Sequence, residues 1–192
     1  MKIGFLGGSF DPVHLGHLVG AQDALERAGL DRLVFVPAAQ APLKPGMVQA
    51  SAENRLAMLQ AAVGDDPRFE ISDHELQAGG VSYTIDTVRH FCARFPNDTL
   101  YWIIGADQPA RLHLWREIEE LAKRVEFIVL DRPGHTWVER TDIPGLRLQR
   151  CTGHLVDISS TELRERIRGG LPVNYFLPHK TVEYIRKTGL YR

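Results

Sequence analysis

The segment Gly7-Gly8-Ser9-Phe10-Asp11-Pro12-Val13-His14-Leu15-Gly16-His17 holds the residue types and spacing best suited to chemistry. It follows the apolar run Ile3-Gly4-Phe5-Leu6 and precedes a helical pattern. Two glycines leaving a strand let backbone N–H groups approach a phosphate closely, and a helix start adds unpaired donors. His14 and His17, three apart, share one face of the first helical turn. A tight turn with two solvated histidines is the plainer alternative, with Asp11 before Pro12 merely fixing that turn. Gly16 weighs against it, because glycine in a first helical turn costs roughly 1 kcal/mol relative to alanine. A ligand approaching the backbone would justify that cost. Zinc is a weaker option, since no third ligand is adjacent to the two imidazoles.

A second segment, Ile158-Ser159-Ser160-Thr161-Glu162-Leu163-Arg164, also invites a phosphate. Ser159 or Ser160 can cap a helix, and Ser159 with Glu162 has capping-box spacing. Capping does not explain Arg164, because a cation near a helix N-terminus opposes the macrodipole. A bound phosphate would reverse that balance and give the guanidinium a bidentate partner. Lys44 is a loop lysine that could hold a substrate phosphate. Asp107, after Gly105, reads first as a helix cap, and Trp115 as a core or interface aromatic. His74, His90, His135, His154 and His179 are scattered and default to surface or core.

These residues need elements to position them. The pattern predicts strands at Lys2–Leu6, Leu33–Val36, Phe69–Ser72, Leu100–Ile104 and Glu126–Leu130, with short ones at Leu146–Leu148 and Leu155–Asp157. Helices are expected over Leu15–Ala28, Ala52–Val63, Tyr83–Phe95, Ile118–Arg124, Ser160–Arg168 and Pro178–Lys187, with Gly29, Gly169-Gly170 and Gly189 as stops. Ala38–Val48 is a proline-bearing loop. The alternation predicts an α/β fold, a parallel sheet with helices on both faces. Ligands of such sheets sit beyond the strand C-termini, near the point where strand order reverses. Gly7–His17, Pro37–Lys44 and Gly105–Trp115 each follow a strand and would share that edge.

Composition narrows the function classes. At 192 residues the chain is most simply a single domain, 1–192. Lys plus Arg total 23 against 24 Asp plus Glu, so no basic excess points to nucleic acid. Cys92 and Cys151 form no CxxC pattern, which fits a reducing cytoplasm rather than a disulfide framework. No run has transmembrane length and the N-terminus lacks a signal-peptide apolar region, so no membrane partner is expected.

The opening segment resembles the GGTFDPxHxGH signature of the nucleotidyltransferase superfamily and, within it, the bacterial nicotinate-mononucleotide adenylyltransferases. Val81-Ser82-Tyr83-Thr84-Ile85-Asp86-Thr87 is similar to that family's SYTIDT segment. Ile103-Ile104-Gly105-Ala106-Asp107 with Leu112-His113-Leu114-Trp115 resembles its IIGAD…LxxW region, and Ile158–Arg164 its ISSTxIR motif. The family's PPHK element appears as Ala41-Pro42-Leu43-Lys44, without its histidine.

The resemblance implies a Rossmann-like doubly wound sheet with a C-terminal helical segment. It implies adenylyl transfer from ATP to nicotinate mononucleotide in NAD biosynthesis, with His14, His17 and Arg164 as catalytic residues. ATP would meet Gly7, Gly8, Ser9, Phe10, His14, His17, Ile158, Ser160, Thr161 and Arg164. The pyridine nucleotide would meet Lys44, Thr84, Gly105, Asp107 and Trp115, with the tryptophan stacked on the ring. Mg²⁺ is expected to arrive with ATP rather than in a protein cage, and a homo-oligomer is possible. Phosphopantetheine adenylyltransferase shares the HxGH logic, as does a fragment of a class I aminoacyl-tRNA synthetase. A non-catalytic nucleotide sensor is the alternative from another class.

Overall fold

A computed structural model describes residues 1–43, 46, 48–64 and 66–192. Six strands form one parallel sheet: β1 (Lys2–Gly8), β2 (Arg32–Pro37), β3 (Phe69–Ile71), β4 (Thr99–Gly105), β5 (Glu126–Leu130) and β6 (Leu148–Cys151), in the order β3-β2-β1-β4-β5-β6. The central strands β1, β2, β4 and β5 are largely buried and apolar on both faces, as a sheet covered on two sides requires. Side chains alternate accordingly. Tyr101 and Ile103 of β4 enter one core, while Leu100, Trp102 and Ile104 enter the other.

The first core is closed by α1 (Leu15–Arg27), α2 (Ala52–Val63), α6 (Ser160–Arg168) and α7 (His179–Thr188), through residues such as Leu25, Met58, Leu163 and Ile185. The second is closed by α4 (Thr84–Arg94) and α5 (Ile118–Arg124), through Ile85, Phe91 and Leu121. This is the doubly wound arrangement expected from the alternation, with α6 and α7 as the C-terminal helical segment. Among the described residues no helix is long and apolar enough to cross a membrane.

Four details differ from expectation. Leu155–Asp157 is not a strand, because Leu148–Cys151 already pairs with β5 and takes the edge position. The chain over 152–159 instead runs without regular structure across α1, where Asp23 accepts a hydrogen bond from the His154 amide at 2.7 Å. The strand expected at Leu146–Leu148 begins at Leu148 and runs to Cys151. Two short helices were not foreseen: α3 (His74–Ala78) and a 3₁₀ helix over Pro109–Leu114, both too brief to show a 3.6-residue period. Strand β1 also continues through both glycines before the turn.

Candidate active site

Gly8, Pro37, Gly105 and Leu130 end four adjacent strands at one edge of the sheet. A cleft of about 690 Å³ opens above them. It straddles β1 and β4, where the strand order reverses, as the switch-point rule requires. Gly7, Gly8, Ser9, Phe10, His14, His17, Thr84, Gly105, Asp107, Trp115, Ile158, Ser160, Thr161 and Arg164 all line it. Lys44 lies outside the described residues.

At one end, β1 hands over to α1. His14 is the N-cap of α1, and its amide donates to Nδ1 of His17 at 3.2 Å. That bond fixes the His17 tautomer: Nδ1 accepts, so Nε2 carries the proton of the neutral ring. The two rings stack with centroids 3.7 Å apart. Phe10 supports them from below, its ring edge-on to His17 at 5.0 Å. This holds Phe10 at φ 47°, a left-handed backbone rare for an aromatic residue. Phe10 is buried and serves the core as much as the cleft.

His14 is only 5% exposed. Burial, then the charge of Arg132, lowers its imidazole from 6.5 to about 4. The ring is therefore neutral at pH 7. The need for Gly16 is local as well: a Cβ there would stand 3.1 Å from the His14 ring.

The N-terminus of α6 meets the same turn. Ser159 caps the helix, accepting from the Glu162 amide at 3.1 Å. Ser160 Oγ donates to the Pro12 carbonyl at 2.9 Å. Arg164 donates through Nη1 to the Asp11 carbonyl at 2.7 Å and through Nη2 to Thr161 Oγ1 at 3.2 Å. The two phosphate-type segments thus bind each other directly. Arg164, which capping did not explain, has a structural anchor in Asp11 besides its place in the cleft. Its Nε and the Nδ1 of His14 are buried without a hydrogen-bond partner. Both are polar atoms that a ligand or a bound water would satisfy.

The other end is assembled from short pieces. Thr84 begins α4, whose N-cap Tyr83 supplies no side-chain acceptor. Trp115 ends the 3₁₀ helix, half-buried, with its ring edge-on to Phe127 at 6.2 Å. Asp107 does not cap that helix; Gln108 stands at the N-cap and makes no side-chain bond. Burial alone would raise the Asp107 carboxyl, but the Gln108 amide at 2.5 Å and Arg132 at 3.3 Å hold it below the usual range. Buried Glu75 of α3 accepts from Thr87 Oγ1 at 2.5 Å and ties α3 to α4. Leu43 fills the place of the family histidine on the cleft wall.

Several contributors escaped the sequence reading. Arg55 is fully buried and donates to the carbonyls of Ser9 at 2.8 Å and Ala38 at 2.7 Å, pinning the loops after β1 and β2. An arginine inside an amphipathic helix carries no signal of burial. Asp11 also does more than start a turn, accepting from the Gln49 and Ala50 amides and from the Tyr191 hydroxyl. Asp23 on α1 holds the 152–159 segment through His154, and Gly153 passes too close to its carboxylate for any Cβ. That glycine, before an otherwise extended stretch, was the one available hint.

The strand order, the cleft at the switch point and the paired phosphate-type helix starts define an α/β nucleotidyltransferase. The chain belongs to the cytidylyltransferase-like family, which matches residues 5–166, and within it to the nicotinate-nucleotide adenylyltransferases. A relative from Opitutus terrae named "Probable nicotinate-nucleotide adenylyltransferase" is 64% identical over all of this chain and 98% of its own. One of the same name from Thermus thermophilus is 44% identical over the whole of both chains. Among solved structures, the Plasmodium falciparum nicotinic acid mononucleotide adenylyltransferase complexed with NaAD superposes with a TM-score of 0.79. It covers 99% of this chain and 97% of that one at 22% identity, a likeness of fold.

Proposed function

We propose that this cleft transfers the adenylyl group of ATP to nicotinate mononucleotide, forming deamido-NAD and pyrophosphate. One observation carries the reading: a single cleft joins an imidazole–guanidinium end to an end holding a tryptophan and a helix start. The first suits phosphates and the second suits a flat, acid-bearing ring. The names of the full-length relatives support the same reaction.

A phosphate oxygen of the mononucleotide attacks the α-phosphorus of ATP, and the bond to the β-phosphate oxygen breaks. The nucleophile is already an anion, so no strong base is needed. The protein's contribution is alignment and charge stabilisation. His17, with its Nε2 proton, donates to a phosphate oxygen as charge builds. His14 and Arg164 face the same group, and backbone amides of Gly8 and Ser9 add fixed dipoles. Lys44, which follows β2 in the sequence, is a further phosphate partner in this scheme. Trp115 stacks on the pyridine ring, while Thr84 and its helix amides meet the carboxylate. The imidazoles and guanidinium suit phosphate oxygens rather than a hard cation, so Mg²⁺ fits as a partner of the triphosphate, neutralising its charge.

The test is pyrophosphate release from MgATP with nicotinate mononucleotide, nicotinamide mononucleotide or phosphopantetheine. Nicotinate mononucleotide is expected to be the preferred acceptor. A clear preference for phosphopantetheine would overturn the reading.

A further inference from the structure

We propose that Tyr191 is a positioning residue: by occupying Asp11, it keeps the Arg164 guanidinium available to the nucleotide. The inference rests on the reading that Arg164 meets phosphate.

Asp11 is 1% exposed and lies beside Arg164, itself only 7% exposed. An unencumbered carboxylate in that position forms a two-point fork with a guanidinium at about 2.8 Å. Here the fork is not formed. Arg164 Nη1 stands 3.8 Å from Asp11 Oδ2, and its short bond goes to the Asp11 carbonyl instead. The carboxylate oxygens are taken by other donors. Oδ2 accepts from the Gln49 amide at 2.8 Å; Oδ1 accepts from the Ala50 amide at 3.1 Å and from the Tyr191 hydroxyl at 2.6 Å. The neighbouring cation Arg55 does not compete, because its Nη1 is spent on the Ser9 and Ala38 carbonyls.

Tyr191 is the shortest of the three bonds and the only one from a side chain. It reaches Asp11 from the segment after α7 and does not line the cleft. It is buried at φ 65°, a left-handed conformation that a bulky residue holds only when its surroundings demand it. Burial, then the bond to Asp11, pushes its phenol up, so the hydroxyl stays a donor. Without it, Oδ1 turns toward Arg164, the fork closes and the cation is drawn off the phosphates.

Tyr191→Phe keeps the ring and deletes the donor. Calorimetric ATP binding, with no acceptor nucleotide present, is expected to weaken about fivefold, the low end of coupling between distinct sites. The KM for ATP is expected to rise while that for nicotinate mononucleotide is unchanged; a merely structural loss would move both. In an Asp11→Asn background, which lacks the competing charge, adding Tyr191→Phe costs nothing more than Asp11→Asn alone. Unchanged ATP binding in Tyr191→Phe, or a further loss when it is added to Asp11→Asn, overturns the inference. Failure of the wild-type protein to bind ATP would instead remove the phosphate reading beneath it.

Discussion

The two ends of the cleft are built by opposite rules. The phosphate end is buried and cross-tied: His14 is 5% and Arg164 7% exposed, and its bonds join Asp11 to Arg164 and Tyr191, 153 and 180 residues away. The ring end stands on a two-turn 3₁₀ helix and a helix start, with Leu114 at its rim 53% exposed. Charge stabilisation in a transition state needs dipoles fixed in advance, because reorienting them during reaction would consume the benefit. Stacking on a flat ring needs only a platform. The phosphate end is therefore expected to control kcat and the KM for ATP, and the ring end the KM for the mononucleotide.

The largest expected effect tests the first half of that contrast. His17→Ala should lower kcat by about two to three orders of magnitude, the range for losing one oriented donor, with the melting temperature little changed. Wild-type turnover in this variant would break the comparison. Trp115→Ala should raise KM for the mononucleotide by up to about tenfold, the worth of an aromatic contact, and leave KM for ATP alone. A fall in kcat instead would mean that both ends set alignment.

The third prediction concerns pH. His14 titrates near 6.5 in the unfolded chain and near 4 in the folded one. Between those values only the unfolded chain takes up the proton. The stability tied to the neutral ring is thus complete above 6.5 and is lost as pH falls toward 4, about 3 kcal/mol in all. Denaturant unfolding at pH 7 and pH 5 should show this slope in the wild type and a flatter one in His14→Gln. The smallest effect is expected at Asp86, whose ion pairs with Arg89 and Arg116 are exposed and screened. Asp86→Ala should leave melting and both KM values unchanged.

Much of the phosphate end was legible in the chain. His14 and His17 follow a glycine turn, and Ser159 and Glu162 keep capping-box spacing, so short-range rules sufficed to place them at helix starts. Arg55 and Tyr191 were not legible. Nothing within a few residues of either one distinguishes a buried arginine from a solvated one, or a tyrosine that serves Asp11 from one that fills the core. The missing strand at Leu155–Asp157 shows the same limit, since a short extended segment pairs or not according to distant groups, and here Asp23 of α1 holds the neighbouring His154.

The sequence by itself determined the alternation of strands and helices, the edge of the sheet that carries the site, and the residue types that gather at the cleft. These follow from local hydrogen bonding and side-chain periodicity, which act over a turn or a strand. The tertiary structure decided that Asp11 accepts from Tyr191 rather than from a tight fork with Arg164. It also decided that His14 is buried enough to be neutral. Both outcomes depend on which distant groups exclude water and reach the same few ångströms, and that is settled only when the helices close over the sheet.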